Sequence, residues 1–403
     1  MTSEYSMRLV VIGHGISPLG TMGGNSKIVL EVLKNLPASV SALVVTFKPE
    51  TFEANGAVGG NIVLAPIPKP AHDDIPHMAQ TSRHTLRHTR KVFQEHGVGN
   101  NDVVYCVSDF PPDVVPGVVL KREFGYRWIP SLYLFVPSPW RNLRGRYGFP
   151  FFKYVLYYAE QRLLFAWMKR RADGFVITND GDRAHFPQSF RDRILAIYGG
   201  VNTEQIEAAF SGPLPETKYD AVFCSRLHPQ KGVDGLLDIW RLVMDRIPQA
   251  RLAIIGNGAH AYEASLRDKA GRLGLDGNID WLGYVNNIEK YRVYRASKML
   301  LHTTVYDNNG MVAAEALCSG LPVVMYDLPL LLDLYTDGCL KVPEGDRTAF
   351  SDAIVSLLQN ADRFDATRPT TAQIEALRQR WDWRKRTELF VEFVKELAMG
   401  GRR

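Results

Sequence analysis

Short apolar segments rich in β-branched residues alternate with longer amphipathic segments along the whole chain. Uninterrupted apolar strands that are separated by helices are typical of parallel sheets covered on both faces. The sequence predicts such strands at Arg8–Ile12, Ala42–Thr46, Ile62–Ala65, Val103–Val107, Ser131–Val136, Gly174–Thr178, Ile194–Ile197, Tyr219–Cys224, Arg251–Ile255, Ile279–Leu282, Met299–His302 and Pro322–Met325. This pattern predicts an α/β fold with two Rossmann-like, doubly wound domains that face each other across a central cleft.

The length of 403 residues fits two domains of about 150 to 200 residues each. The segment Ser211–Lys218 contains glycine and prolines and marks a linker. We therefore expect a first domain at 1–210, a second at 211–380 and a terminal helical segment at 381–403. The helical pattern itself runs from Gln373 to Leu397, so it begins in the second domain and continues into the terminal segment. Ligands of doubly wound sheets bind at the carboxyl ends of the strands, so the cleft is the expected functional site.

The composition is that of a soluble globular protein, with 46% hydrophobic and 23% charged residues. The four cysteines are far apart and form no Cys-x-x-Cys pair, so neither a disulfide framework nor a zinc site is indicated. The first apolar run, Leu9–Ile12, is too short for a signal peptide, and no run reaches the about 18 apolar residues of a membrane span. We therefore expect a cytoplasmic protein.

The segment Tyr306–Val324 says most about function. It places Asp307 and Glu315 eight residues apart, with Gly310 at a predicted helix start between them. A helix N-terminus offers unpaired N–H groups and a positive dipole end to an anion, and carboxylates accept hydrogen bonds from hydroxyls. This combination suits a sugar attached to a diphosphate. An exposed helix start with an acidic first turn is the simpler alternative.

A second motif follows the predicted strand Tyr219–Cys224. Arg226 and Lys231 lie five residues apart on the loop that leaves this strand, before a predicted helix that begins near Val233. Two cations at this position can converge on one diphosphate, because arginine supplies a planar fork of donors and lysine supplies a point charge. An ordinary surface loop is the alternative.

These motifs resemble those of the retaining glycosyltransferases of family 4, also described as glycosyl transferases group 1, which have the GT-B fold. That family carries two glutamates separated by seven residues around a glycine, then a helix of small residues and a Gly-Leu-Pro turn. This chain matches the pattern at Gly310, Glu315 and Gly320–Val324, and it departs at the first acid, which is Asp307. The loop Ser225–Gly232 is similar to the family's segment with an arginine and a lysine.

The resemblance implies transfer of a sugar from a UDP-sugar or GDP-sugar to an acceptor hydroxyl, with no cofactor and no metal. The second domain would bind the nucleotide-sugar, the first would bind the acceptor, and the segment 381–403 would return toward the first domain. The catalytic residues that it implies are Asp307, Arg226 and Lys231. The donor-binding residues that it implies are Glu315, Asn309, Gly310, Met311, Gly23, Gly24, Gly256, Tyr284 and Val285.

Each of these residues has an implied role. Arg226 and Lys231 neutralise the leaving diphosphate, Glu315 holds the ribose, and Asp307 faces hydroxyls of the donor sugar. The backbone amides near residues 309–311 cradle the diphosphate. The glycine turns that contain Gly256 and Tyr284–Val285 approach the ribose and the base, and Gly23–Gly24 lie against the diphosphate and the acceptor.

Acceptor contacts are predicted at Asp109 and Trp140, which follow strands whose ends should open on the cleft. Many members of the family place a histidine near the second of these positions, where this chain has Phe135–Pro137, so no general base is assigned. This departure, together with Asp307, motivates a second hypothesis, a module that binds a nucleotide-sugar and has lost the transfer activity. The retained Arg226 and Lys231 oppose that alternative.

The segment 141–171 contains eight basic residues and one acid, Glu160, interleaved with aromatic residues. Such a mixture suits an anionic membrane surface, and several members of the family reach lipid-linked acceptors through a patch of this kind. A core helix with a solvated cationic end is the alternative. The predicted partners are therefore the donor, an acceptor that is a glycan, a lipid-linked molecule or a small molecule, and an anionic membrane surface at the inner face, but no nucleic acid.

The sequence Asp180-Gly181-Asp182 matches the Asp-x-Asp motif with which other glycosyltransferases hold manganese. It follows an apolar strand and Asn179, and it precedes a predicted helix. Because Asn and Asp are preferred at helix N-caps, we interpret this segment as a cap and predict no metal site.

Overall fold

The computed structural model describes residues 7–17, 23–72, 77–142, 150–213, 216–285 and 287–400. The chain divides into two compact units. Unit 1 comprises Met1–Pro139, Phe152–Gly199 and Trp383–Arg403, and unit 2 comprises Trp140–Phe151 and Gly200–Asp382.

Unit 1 contains a seven-stranded sheet in the order β3-β2-β1-β4-β5-β6-β7, and each pairing between these strands is parallel. The strands are β1 (Met7–Ile12), β2 (Val40–Thr46), β3 (Ile62–Pro66), β4 (Val103–Cys106), β5 (Arg127–Leu132), β6 (Phe175–Ile177) and β7 (Ile194–Ala196). The helices of this unit are α1 (Gly24–Lys34), α2 (Pro49–Ala54), α3 (Met78–Glu95), α4 (Pro111–Phe124), α5 (Phe151–Lys169) and α14 (Trp383–Ala398).

Unit 2 contains a six-stranded parallel sheet in the order β10-β9-β8-β11-β12-β13. The strands are β8 (Tyr219–Cys224), β9 (Leu252–Ile255), β10 (Ile279–Gly283), β11 (Ser297–His302), β12 (Val323–Tyr326) and β13 (Cys339–Val342). The helices are α6 (Thr203–Phe210), α7 (Val233–Met244), α8 (His260–Arg272), α9 (Asn287–Arg295), α10 (Met311–Cys318), α11 (Arg347–Gln359), α12 (Ala361–Thr367) and α13 (Thr371–Trp381).

The central strands of both sheets are buried on both faces. All residues of β4, β9 and β12 are buried, although these strands show no alternation of apolar and polar residues. This burial is what uninterrupted apolar runs require when helices cover both sides of a parallel sheet. The predicted α/β class with two Rossmann-like, doubly wound sheets is confirmed.

The prediction for β5 was wrong at both ends. The strand covers Arg127–Leu132 instead of Ser131–Val136, so only its last two residues lie in the predicted range. Pro130 lacks the N–H that a sheet ladder uses and is therefore unfavourable inside a central strand. Nevertheless Pro130 pairs with Cys106 of β4, and the Ser131 hydroxyl donates a hydrogen bond to the Cys106 carbonyl.

Two further differences concern the C-terminal half. The edge strand β13 was not predicted, because its four residues are mostly half-buried and, in the part of the chain that the structure describes, it pairs only with β12. The predicted helix Gln373–Leu397 is interrupted at Asp382, whose backbone is extended with φ −62° and ψ 129°. The Val201 N–H donates to the Trp381 carbonyl at 2.7 Å, so a bridge to Val201 replaces a helical turn at this point.

Candidate active site in unit 2

The candidate site lies at the topological switch point of the second sheet. Strands β8 and β11 are neighbours and run parallel, while the chain continues from β8 toward one edge of the sheet and from β11 toward the other. Loops that leave the carboxyl ends of two such strands diverge and form a crevice. The predicted residues Arg226 and Lys231 lie on the loop after β8, and Asp307 lies on the loop after β11.

The loop after β8 is held against the end of β11 by a glycine and a threonine. Gly232 has φ 71°, and a Cβ atom at this position would lie 2.0 Å from the Thr303 carbonyl oxygen. The Thr303 hydroxyl donates to the Lys231 carbonyl at 3.1 Å. Only glycine permits this close approach of two backbones, so Gly232 fixes the position of Lys231.

Gln230 joins the same two loops from the other side. Its side-chain amide donates to the Tyr306 carbonyl at 2.7 Å, and its carbonyl accepts from the Val305 N–H at 3.0 Å. These contacts bring together two side chains that are 76 residues apart: Lys231 Nζ lies 2.8 Å from Asp307 Oδ2. Each of the two side chains is only 16% exposed, so this is a mostly buried ion pair.

The carboxylate of Asp307 is surrounded by donors. Its Oδ1 atom accepts from the backbone N–H groups of Asn308 at 2.9 Å and of Asn309 and Gly310 at 3.2 Å each. Burial by itself raises the pKa of this carboxyl group, but the charge of Lys231 and the proximity of His302 hold its pKa well below its ordinary value. Asp307 is therefore ionised at neutral pH.

His302 is the last residue of β11 and was not predicted. Its side chain is buried, and its Nε2 atom lies 3.6 Å from Asp307 Oδ2, beyond hydrogen-bond length. Neither ring nitrogen has a hydrogen-bond partner within the described part of the chain. The His302 ring therefore offers a potential hydrogen-bond donor beside the Asp307 carboxylate, and this donor is not engaged by another described residue.

The loop before α10 is also shaped by glycine. Gly310 has φ 59°, and a Cβ atom there would lie 3.2 Å from the Tyr335 ring and 3.3 Å from Leu331. The Tyr335 hydroxyl donates to the carbonyls of Asn309 and Gly310, at 2.7 and 2.9 Å. Helix α10 then begins at Met311, so its N-terminal end lies next to the Lys231–Asp307 pair.

Glu315 lies on α10, four residues after Met311 and so on the same face of the helix. Its carboxylate is buried and forms an ion pair with Lys290 of α9, with Nζ 2.7 Å from Oε1. Both predicted carboxylates are therefore paired with a lysine.

Arg226 differs from Lys231 in its surroundings. Its side chain is exposed and forms no hydrogen bond or ion pair with any residue that the structure describes. The pKa of the His228 imidazole is lowered by burial and then by the charges of Arg226 and Lys231, which places both cations near one ring. The two predicted cations thus lie on one short loop, and Arg226 remains available to an anion.

Glycines also join the next two loops to the Arg226 loop. Gly256 has φ 138°, and a Cβ atom there would lie 1.8 Å from the Ser225 carbonyl oxygen. The Gly256 N–H donates to the Gly283 carbonyl at 2.7 Å. Tyr284 is exposed and Val285 is half-buried immediately after this point. The turns that contain Arg226, Gly256 and Tyr284–Val285 therefore lie side by side at the carboxyl ends of β8, β9 and β10.

The remaining predicted residues belong elsewhere. Gly23, Gly24 and Asp109 belong to unit 1, where the Gly23 N–H donates to Ser17 Oγ at 3.0 Å and α1 begins at Gly24. The Gln161 amide donates to Asp109 Oδ2 at 2.7 Å, and burial raises the pKa of Asp109 to about 6. Trp140 is exposed and contacts Phe151. Their donor and acceptor roles stay predictions.

The Asp-x-Asp segment forms a helix start, as predicted. The Asn179 side chain accepts from the Gly181 N–H at 2.8 Å and caps a 3₁₀ turn at Asp180–His185. Asp180 pairs with Arg183 at 2.7 Å. The interpretation as a cap is confirmed.

Sequence reasoning missed Lys290, His302, Gln230 and Tyr335. Lys290 lies in a polar helix that matches no motif, and its partner Glu315 is 25 residues away in sequence. Only the end of β11, with a histidine after an apolar run, carried a visible signal for His302.

Comparison with known proteins shows what this part of the chain is similar to. Residues 204–373 match the family model described as glycosyl transferases group 1. The chain is 30% identical, over 57% of its own length and 60% of the relative's, to phosphatidyl-myo-inositol mannosyltransferase of Mycobacterium leprae (strain TN). It therefore spans less than two thirds of the length of that curated relative.

Two solved structures show the same fold over nearly the whole chain. Sucrose-phosphate synthase of Thermosynechococcus elongatus is 14% identical, with a TM-score of 0.79 and coverage of 98% of this chain and 100% of that one. HepE of Anabaena, in complex with UDP and glucose, is 17% identical, with a TM-score of 0.70 and coverage of 96% and 99%. These identities bear on the fold alone, and they confirm the predicted GT-B class. Residues 204–373, which are less than half of the chain, match the family of glycosyl transferases group 1, and the chain is similar to that family over this range.

Proposed function

We propose that this protein is a retaining, metal-independent glycosyltransferase of family 4 that moves a sugar from a UDP-sugar or GDP-sugar to an acceptor hydroxyl. The observation that carries the proposal is that the loop with Arg226 and Lys231 meets the N-terminal end of α10 at the switch point of unit 2, where Lys231 contacts Asp307. A diphosphate is an anion that this arrangement of positive charge fits. HepE, whose structure holds UDP and glucose, supports the same class of donor.

The chemistry follows from charge on the leaving group. The bond between the anomeric carbon and the diphosphate oxygen breaks, and the acceptor oxygen forms the new bond on the same face of the sugar. The leaving diphosphate takes the acceptor's proton, so atoms and charges balance without a separate base. Arg226 and Lys231 stabilise the negative charge that develops on the diphosphate, and they do so as preorganised groups.

The loop before α10 has a specific constraint. The N–H groups of Asn309 and Gly310 donate to Asp307, whereas α10 begins only at Met311. A diphosphate held by the amides of residues 309–311 would therefore exchange places with Asp307 at two of them. In this proposal Lys231 turns from Asp307 to the diphosphate, and Asp307 becomes free to accept a hydrogen bond from the donor sugar.

The ribose and base have a separate part of the site. Glu315 accepts hydrogen bonds from the ribose, and the turns at Gly256 and Tyr284–Val285 approach the ribose and the base. In this proposal Gly23 and Gly24 are contacts of the diphosphate and the acceptor, and Asp109 and Trp140 are contacts of the acceptor.

Thermal unfolding with UDP, GDP and their sugar conjugates tests this function. At a concentration of 100 times Kd, the matching ligand should stabilise the protein by about 2.7 kcal/mol. The variant Arg226→Ala should lose most of this shift, whereas the control Arg246→Ala, which lies in an exposed pair with Asp352, should keep it. If no nucleotide or nucleotide-sugar shifted the transition, the proposal would be wrong. Stabilisation without turnover would favour the nucleotide-sugar-binding module.

We also propose that the acceptor is lipid-linked and that α5 contacts an anionic membrane surface at the inner face. Phe152, Leu156 and Leu163 are 71%, 55% and 73% exposed and lie on one face of α5. Lys153 and Arg170 are exposed near its ends. Arg144 and Arg146, two of the eight basic residues of the segment 141–171, lie outside the described residues. No helix in the described ranges is long and apolar enough to cross a membrane.

Replacing both Leu156 and Leu163 by serine should weaken binding to phosphatidylserine-containing vesicles about tenfold or more. The physical reason is that burying a leucine side chain contributes about 1.5 to 3 kcal/mol. Vesicle sedimentation measures the change. The control Leu389→Ser alters an exposed leucine of α14 and should leave binding unchanged. Equal binding of the double variant and the wild type would exclude α5 as the contact surface.

A further inference from the structure

Lys290 occupies a defined position between two side chains of unit 2. Its Nζ atom lies 2.7 Å from Glu315 Oε1 and 4.7 Å from the centre of the Tyr291 ring. The Tyr291 ring is buried, and the Lys290 side chain is itself only 17% exposed. An ammonium group held by a carboxylate and an aromatic face has little freedom to move.

The environment keeps this lysine charged. Burial by itself lowers the pKa of Lys290, but the nearby Glu315 carboxylate outweighs burial, so the pKa is raised above its ordinary value. Cys224 and Tyr284 also contribute to this rise. Lys290 therefore lies near the end of β8, near the loop after β10 and near α10 at once.

Glu315 is held through one oxygen only. Oε1 pairs with Lys290, while Oε2 has no hydrogen-bond or ion-pair partner among the residues that the structure describes. A carboxylate accepts through both oxygens, so Oε2 remains able to accept from a hydroxyl group. The ammonium group keeps further N–H donors for a hydroxyl oxygen.

We propose that Lys290 is a positioning residue that fixes the Glu315 carboxylate for the ribose diol, and that the pair selects ribonucleotides over deoxyribonucleotides. This inference rests on the proposed function, because it assigns Glu315 to the nucleotide. Buried ion pairs contribute little net stability, so a contribution to stability does not by itself explain the pairing of Lys290 with Glu315. A deoxyribose leaves one of the two buried charged groups without its hydroxyl partner, and an unmade hydrogen bond of this kind is costly.

Nucleotide binding to the full-length protein tests the inference. Calorimetric Kd values are measured for UDP and GDP and for the 2′-deoxy and 3′-deoxy forms of each. For the base that binds, the wild type should prefer the ribonucleotide about tenfold or more over at least one deoxy form. Lys290→Met should reduce this ratio to nearly 1 while leaving the Kd of that deoxy form nearly unchanged. Lys290→Arg, which retains a charged donor, should preserve the preference.

The matched control is Lys298→Met, because Lys298 is exposed near the amino-terminal end of β11 and pairs with Asp220 at 2.8 Å. It should keep the wild-type ratio. If Lys290→Met does not fold, Lys290→Gln carries the same test, because it removes the charge and keeps a polar group beside Glu315. A folded Lys290→Met or Lys290→Gln variant that keeps the wild-type ratio, because it binds both nucleotide forms as before or weakens both equally, would overturn the inference and leave the proposed function intact. A wild type that binds neither UDP nor GDP would overturn both.

Discussion

Replacing Arg226 or Lys231 by alanine should lower kcat for sugar transfer about 10²-fold or more, the loss expected when a group that stabilises developing charge is removed. Arg226 is exposed and without a protein partner among the described residues, so its loss should act on the reaction and hardly on folding. Lys231 also pairs with Asp307 at 2.8 Å, so its loss should lower stability as well. Steady-state kinetics with the matching donor measures both effects.

The balance between kcat and KM distinguishes two roles. A group that stabilises the departing diphosphate lowers kcat, whereas a group that only binds the donor raises KM. The control Arg246→Ala removes an exposed arginine that pairs with Asp352 and should leave both constants unchanged. Near-normal kcat in both site variants would show that these cations do not stabilise the leaving group.

Replacing Asp307 by asparagine should lower the free energy of unfolding by about 3 kcal/mol at pH 7, because it leaves the mostly buried ammonium group of Lys231 without its counter-charge. The asparagine side-chain oxygen still accepts from the loop N–H groups, so the loss reports the ion pair. Urea unfolding measures the difference. The control Asp352→Asn breaks a surface pair with Arg246 and should cost less than about 1 kcal/mol.

The pH dependence of this difference has a definite sign. The pKa of Asp307 in the folded protein lies well below its value of about 3.9 in an unfolded chain. The unfolded chain therefore takes up a proton first as the pH falls, and the stability from this carboxylate is fully present above about pH 5 and is lost toward the folded pKa. The difference between wild type and Asp307→Asn should shrink from pH 6 to pH 3. A constant difference over this range would contradict the assigned charge state.

The fold was predictable where one physical signal dominated. The short apolar runs of β8 and β9 are buried on both faces, which is the environment of strands in a parallel sheet that helices cover on both sides. The start of β5 was not predictable in the same way, because Pro130 argues against a strand until its pairing with Cys106 is known. The end of α13 at Asp382 depends on a bridge to Val201, which lies far away in sequence.

The site was predictable where its residues follow strand ends. Arg226, Lys231 and Asp307 converge because β8 and β11 are adjacent parallel strands, a relation that the order of elements already indicates. Their pairing was not predictable, since the Lys231–Asp307 contact depends on Gly232 and Gln230 bringing two loops together. Lys290 could not be found either, because nothing in the sequence of α9 distinguishes it from other helical lysines.

The central claim is that the switch point of unit 2 releases a nucleoside diphosphate from a nucleotide-sugar by transferring the sugar with retention. The most direct measurement combines detection of released UDP or GDP with determination of the anomeric configuration of the product by NMR, in the presence of acceptor lipids in vesicles. The account predicts release that depends on Arg226 and a product with the anomeric configuration of the donor. A product of inverted configuration, or tight binding of the nucleotide-sugar with no release, would contradict it.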